Sequence, residues 1–182
     1  MTVPILTTER LLLKPLEPAD AEQIQKRYPQ WEIVRYMVAS VPWPYPPDGA
    51  EFYVNQVALP DMEKGIAWFW SIRHKENPDE LMGLICLYDL EDNNRGFWLS
   101  PEFQGQGYMR EACNAVTDYW FNTLDKPVLR APKAAVNARS RQISLSSGMR
   151  LVRTEKKAYV SGILDSELWE ITREKWNALR RS

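Results

Sequence analysis

The chain has 182 residues, 45% of them hydrophobic and 26% charged, with a formal net charge of −1. That length supports one domain with a proper core and is short for two, so residues 1–182 are read as a single domain. Near-neutral charge excludes a broad field that would draw the protein to nucleic acid or an acidic membrane, leaving only local basic candidates at Arg139, Arg141 and Arg150. The two cysteines, Cys86 and Cys113, lack metal-ligand spacing and sit in apolar runs, which predicts buried free thiols in a reducing compartment. No apolar stretch is long enough to cross a bilayer and MTVPILTTER has no signal-peptide pattern, so a cytoplasmic protein with no membrane or nucleic-acid partner is expected.

In chain order, RLLLKPL (10–16) has the character of a strand, and Pro18 with Asp20 opens a helix through Tyr28. WEIVRYM is a second short helical stretch. VPWPYPPDGAEF is proline-rich and aromatic: a stiff loop leading into a helix, or a proline-rich ligand for an SH3-type domain. Asp48 and Glu51 fit a capping box for the helix that carries Phe52, Val54 and Val57. AWFWSIRH (67–74) and LMGLICLYDL (81–90) flank the turn KENPDE and predict an antiparallel hairpin; RGFWLS (95–100) is a third strand. Met109, Ala112, Cys113, Val116 and Trp120 recur at the spacing of one helix face. A strand is expected over Val128–Val136, limited by Pro127 and Pro132, then a helix over 138–147 that stops at Gly148. LVRTEKKAYV and ELWEITRE close the chain as strands. The order predicts an α/β or α+β domain around a single sheet.

The stretch FQGQGYMREA (103–112) joins a strand to a helix through Gly105 and Gly107. Such a turn aims several backbone N–H groups one way, and the helix N-terminus adds partial positive charge, so a phosphate or pyrophosphate fits without a basic side chain. The third glycine of a dinucleotide fingerprint would fall on Arg110, and no Lys-Ser or Lys-Thr follows as in a Walker A loop. A pyrophosphate site of another kind remains, alongside a turn that only caps its helix.

LSPEFQGQGYMREA followed by VNARSRQISLSSGM resembles the two central motifs of the GNAT superfamily of acyl-CoA N-acyltransferases, nearest to the ribosomal-protein N-terminal acetyltransferase (RimJ/RimL-like) branch. Gln104 and Gly107 fall on the first motif, with Met109 where the family has a small residue. Asn137, Ser140 and Gly148–Met149 fall on the second, with Met for Phe. TERLLLKPLEPADAEQ is similar to the family's opening strand and helix, and LDSELWEITREKW to its closing strand, so the resemblance covers nearly the whole chain.

The resemblance implies a GNAT fold, a single mixed and mainly antiparallel sheet with splayed central strands flanked by helices. It implies acetyl-CoA as co-substrate, with no metal. Backbone amides of Gln104, Gly105, Gln106, Gly107, Tyr108 and Met109 would take the pyrophosphate, and the strands on either side of the turn at about 90–95 would part to admit the pantetheine arm. Phe97, Trp98 and Leu99 would pair with that arm, with Asn137 and Ser140 completing the cofactor set. The reaction would be direct attack of an amine on the thioester without a covalent intermediate. Ser140 would be the acid, and Ser144 stands where other branches place a tyrosine. Asp89 joins Ser140 and Asn137 in the candidate catalytic set; Glu91 and Asp92 lie near it, and EDNNRGFW lacks the glutamate that many relatives carry there. Trp31, Trp43, Tyr45 and Trp68 are candidates for lining the site of a small-molecule or peptide amine, or for the core. The expected enzyme acetylates a protein N-terminus or a small amine; the competing expectation is a catalytically silent acyl-CoA-binding regulatory module. A homodimer is admitted by analogy alone.

Overall fold

In the computed structural model, which describes residues 2–181, the strands form a five-stranded and a three-stranded sheet, side by side rather than the single sheet expected. The first ladder runs β1 (Leu6–Thr7), β2 (Leu11–Pro15), β3 (Ala67–His74), β4 (Gly83–Tyr88) and β5 (Arg95–Leu99), each antiparallel to the next. The second places β6 (Val128–Ala134) and β7 (Arg150–Tyr159) on either side of β8 (Gly162–Thr172), again antiparallel. The hairpin expected over 67–90 is thus present, with Ala67 opposite Tyr88.

The early helical segments are α1 (Ala21–Arg27), α2 (Trp31–Val34), α3 (Gly49–Tyr53) and α4 (Leu59–Glu63), the last two joined by a π turn over Val54–Ala58. Helix α5 (Tyr108–Asp118) carries the chain from β5 to β6, α6 (Ala138–Ser146) follows β6, and α7 (Arg173–Arg181) follows β8.

Side chains alternate across a strand, so the sheet separates two cores. On one face Trp68, Trp70, Ile72, Ile85, Leu87 and Leu99 pack against Ala112, Cys113 and Val116 of α5 and against Trp120 and Trp176. On the other face Phe69, Leu84, Cys86 and Trp98 pack against Ile24, Ile33, Ala50 and Val54. This second face is covered by α1–α4.

Three further expectations need correcting. First, the strands on either side of the 89–94 turn, β4 and β5, do not part; they pair from Gly83–Leu99 to Leu87–Arg95. The divergence lies one strand further on, between β5 and β6. The Asn94 N–H donates to the Arg130 carbonyl (2.7 Å), and the Arg130 N–H donates to Asn94 Oδ1 (2.8 Å). These bonds join the starts of the two strands, which therefore run the same way and open toward Leu99 and Ala134. A parallel pair joined by a crossover helix has freedom to splay that a tight hairpin lacks.

Second, Asp48 occupies the N-cap of α3 but its side chain makes no capping bond. Reciprocal capping instead joins Glu17 and Asp20 around the 3-10 turn Pro18–Asp20. Third, the closing strand ends at Thr172 rather than running on through LDSELWEITREKW, and Arg173–Arg181 is helical with Trp176 buried beneath it.

Candidate active site

The open end of the β5–β6 gap meets the glycine loop. After Leu99 the chain makes a 3-10 turn over Pro101–Phe103, and Gln104 reaches back so that its Nε2 donates to the Leu99 carbonyl (2.8 Å). The Gln104 side chain therefore braces the turn. Gly105 and Gly107 take φ of 80° and 82°, the left-handed region that an L side chain enters only with strain. A Cβ on Gly107 would also lie 3.3 Å from Arg10 Nη2. Gly107 is the N-cap residue of α5 and has no side chain to cap with, so the amides of the first turn remain open at the positive end of the helix.

Met109 does not crowd this loop: its side chain is buried in the core under α5. Tyr108 is held between the Arg10 guanidinium, 4.4 Å from the ring centre, and the His74 ring at 5.8 Å. Arg10 also binds Glu111 (3.1 Å). Burial alone would raise the Glu111 pKa, but hydrogen bonds from Thr8 and from the Arg10 backbone and guanidinium outweigh it and hold the carboxylate below its usual range. Arg10 was invisible as a site residue in the sequence, because nothing local connects it to a loop nearly a hundred positions away.

Along β5 the backbone phase is fixed at both ends. Tyr88 N–H donates to the Asn94 carbonyl and Ser100 N–H to the Met82 carbonyl, so within the strand Gly96 and Trp98 direct their backbone groups to β4 and the odd-numbered residues direct theirs away. Phe97 and Leu99 thus offer backbone groups to the gap. Trp98 does not: its backbone faces β4 and its side chain joins the α1–α4 core beside Tyr28 (5.2 Å).

Across the gap, Asn137 caps α6 by accepting from the Ser140 N–H (3.4 Å). Ser140 and Ser144 are both buried and lie one turn apart on the helix, hence on one face. Between them and the sheet lies Lys133 of β6. Its ammonium donates to Ser144 Oγ and, at 3.4 Å, to the Ser140 carbonyl. Burial is the main cause, and the nearby Arg95 cation the next, that lowers the Lys133 pKa to about 7. Arg95 reaches Thr117 (2.8 Å) from the same face.

A strand ending in a glycine turn that opens a helix is the arrangement expected above for a pyrophosphate site, and the splay beside it falls one strand later than expected. The family model described as an acetyltransferase (GNAT) domain matches residues 10–150. The chain belongs to the GNAT acetyltransferase family. It is 27% identical to the provisionally named ribosomal N-acetyltransferase YdaF of Bacillus subtilis over 147 residues, 74% of this chain and 75% of that one. The fold matches that of a ribosomal-protein-S5-alanine acetyltransferase from Vibrio fischeri, with a TM-score of 0.79, 17% identity and coverage of 95% and 98% of the two chains. It also matches RimL, a ribosomal L7/L12 alpha-N-protein acetyltransferase solved with coenzyme A, with a TM-score of 0.76, 18% identity and coverage of 93% and 97%. By family this protein is an N-acyltransferase.

Within this GNAT fold, Asp89 does not share a site with Ser140 and Asn137. Asp89 pairs with Lys126 (3.0 Å), two positions before β6 begins, whereas Asn137 lies beyond the strand's other end. A seven-residue strand at about 3.3 Å per residue separates them by about 20 Å. Asp92 is likewise taken up at the closed end by Arg130 (3.2 Å) and Arg153 (2.8 Å). Asn94, near the expected position of the missing glutamate, is buried and donates to the carbonyls of Tyr88 (3.0 Å) and Leu90 (2.6 Å). It acts as the fulcrum of the gap.

Of the two alternatives for Trp68 the structure has the core: it is buried on the α5 face, edge-on to Trp120 (6.2 Å). Trp31 and Trp43 are exposed and tilted against each other at 5.9 Å, and Tyr45 packs on Tyr28. The α1–α4 face beside β5 carries Tyr28, Tyr53, Tyr88 and Cys86, all pushed toward their neutral forms chiefly by burial. The basic candidates Arg141 and Arg150 are paired with Glu167 (3.0 Å) and Glu170 (2.5 Å). Cys86 and Cys113 are free and buried, as expected. Among the described residues no cluster of His, Cys, Asp and Glu could hold a metal ion, and no helix is long and apolar enough to cross a membrane.

Proposed function

We propose that this acetyltransferase takes its acyl group from acetyl-CoA and transfers it to a primary amine, a protein N-terminal α-amine or a small-molecule amine. The observation that carries the reading is the pair of left-handed glycines leading into the uncapped end of α5 beside a strand whose Phe97 and Leu99 backbone groups face an open gap. Amides from Gly105 to Met109 would hold the pyrophosphate, with Gln104 bracing the loop and Arg10 adding positive charge at its edge. Phe97 and Leu99 would pair with the pantetheine arm as an added strand, and a backbone N–H there would polarise the thioester carbonyl.

The amine attacks the carbonyl carbon, the C–S bond breaks and the electron pair leaves on sulfur. Ser140 supplies a hydroxyl for the departing thiolate, and Asn137 fixes that serine at the start of α6. An α-amine has a pKa near 8, so water suffices to remove its first proton and no carboxylate base is required. The S5-alanine and L7/L12 names of the structural neighbours support N-terminal α-amines as the first acceptors to try. Residues 1–182 act as one GNAT domain in this reading. The buried thiols suit a cytoplasmic setting, and a homodimer remains admitted by analogy.

The test is release of free thiol from acetyl-CoA when short peptides beginning with alanine or serine, and small primary amines, are offered. Turnover with at least one acceptor is expected, and Ser140→Ala should lower it about tenfold or more while leaving CoA affinity within twofold. Saturable CoA binding with no transfer to any acceptor would instead support a silent acyl-CoA-binding module.

A further inference from the structure

The first polar cluster on the α5 face that family membership does not account for is built around Lys133. The strand alternates Leu129, Ala131 and Lys133 onto one buried face, so an ammonium stands where the two preceding residues are apolar. The charged and titratable groups around it are Glu167, its direct neighbour on β8; Arg95 of β5; Cys113 of α5; and Arg141 of α6. Glu167 is already taken by the Arg141 guanidinium (3.0 and 3.4 Å), and Arg95 adds a second buried cation whose Nε has no partner. Lys133 is therefore not neutralised by a carboxylate of its own. Its hydrogen bonds go to a hydroxyl, Ser144 Oγ, and to the backbone of Ser140. A cation buried for stability alone would sit on a carboxylate; this one sits on the two serines of α6 at the open end of the gap.

We propose that Lys133 is a positioning residue for acyl transfer, holding an exchangeable proton against the Ser144 hydroxyl and passing it through that hydroxyl toward Ser140, one helical turn away, and the departing sulfur. The inference rests on the acetyltransferase reading of the same gap. As the C–S bond breaks, the electron pair goes to sulfur, Ser140 gives its hydroxyl proton to the thiolate, Ser144 restores that proton to Ser140, and the Lys133 ammonium gives its own to Ser144 Oγ. Neutral Lys133 then regains a proton from the nitrogen that attacked, which must lose one to become an amide. The ammonium substrate's other proton goes to water before attack, so each turnover releases one proton and ends with Lys133 charged as it began. Burial and Arg95 bring this lysine's proton affinity close to neutral pH, where a group can both give and retake a proton.

Lys133→Met and Ser144→Ala decide the matter. Methionine has a similar length and leaves only the neutral Ser144 hydroxyl without its bond, and circular dichroism checks that the fold is kept; the second is a small deletion. With acetyl-CoA and an alanine-initial peptide, wild-type kcat should fall as pH rises from 7 to 9. Lys133→Met should be about tenfold slower at pH 7 and lack that fall. Ser144→Ala should lower kcat with KM unchanged. A second readout does not depend on turnover. Lys133 is depressed in the folded state and near 10.4 when unfolded, so between about 7 and 10.4 the unfolded chain binds the extra proton and stability rises with pH. Lys133→Met should abolish that rise in denaturant titrations. A variant whose kcat–pH profile overlays that of the wild type overturns the proposal while leaving the acetyltransferase intact. A wild type that transfers to no acceptor overturns the acetyltransferase reading, and the proposal with it.

Discussion

The two ends of the β5–β6 gap are built from opposite materials. At the closed end the polar groups are tied to one another: Asn94 bonds the N–H and carbonyl of both Tyr88 and Arg130 and the Leu90 carbonyl, and Arg130 bridges Asp92 and Glu170. At the open end the backbone of Phe97 and Leu99 and the first amides of α5 face outward, with Arg10 at the edge of the glycine loop and a buried lysine on Ser144 Oγ and the Ser140 carbonyl. The contrast separates structure from function. Carboxylates at the closed end, Asp89 and Asp92 among them, are held in ion pairs and keep the strands joined, whereas the unpaired donors at the other end are what a ligand can use.

Breaking the closed end should have the largest effect. Asn94→Ala leaves the Tyr88 and Leu90 carbonyls and the Arg130 N–H without their partners and should cost about 3 kcal/mol, read as a lower urea midpoint. A loss below about 0.5 kcal/mol would mean that Asn94 is not the fulcrum. A smaller effect is expected at Glu170. Burial would raise its pKa, but hydrogen bonds from Arg130 and Arg150 outweigh it and depress the value, so its contribution is present above the ordinary carboxylate range and lost as pH falls through its own pKa. Glu170→Gln should therefore flatten the acid limb of a stability–pH curve by about 1 kcal/mol. The smallest effect is expected at Asp89, whose side chain is 47% exposed. Asp89→Asn should leave turnover within twofold; a hundredfold loss would return it to the mechanism.

How much of this could be read in the sequence follows from the range of the interactions. The apolar run AWFWSIRH with the turn that follows it and the one-sided spacing from Met109 to Trp120 are local, and both gave elements close to those observed. The glycine loop was legible for the same reason: two glycines between a strand and a helix already imply left-handed backbone and open amides. The position of the splay was not, because it depends on which pair of strands a crossover joins. Asp89 was misassigned as a result, since closeness in sequence to β5 put it at the wrong end of the gap. Lysine in RAPKAA has the pattern of a solvent-facing strand position, and only packing against α6 shows Lys133 to be buried. Helix α7 was hidden behind the β-prone run before it, although Trp176 and Leu179 already stand one helical turn apart.

The most direct test of the account is titration calorimetry of coenzyme A against the wild type and Gly107→Val. A valine Cβ would force a left-handed position and crowd Arg10 at the mouth of the loop, so affinity should fall at least about tenfold while circular dichroism shows the fold retained. Equal affinities for the two proteins would contradict the claim that open amides at the start of α5 hold the cofactor's pyrophosphate.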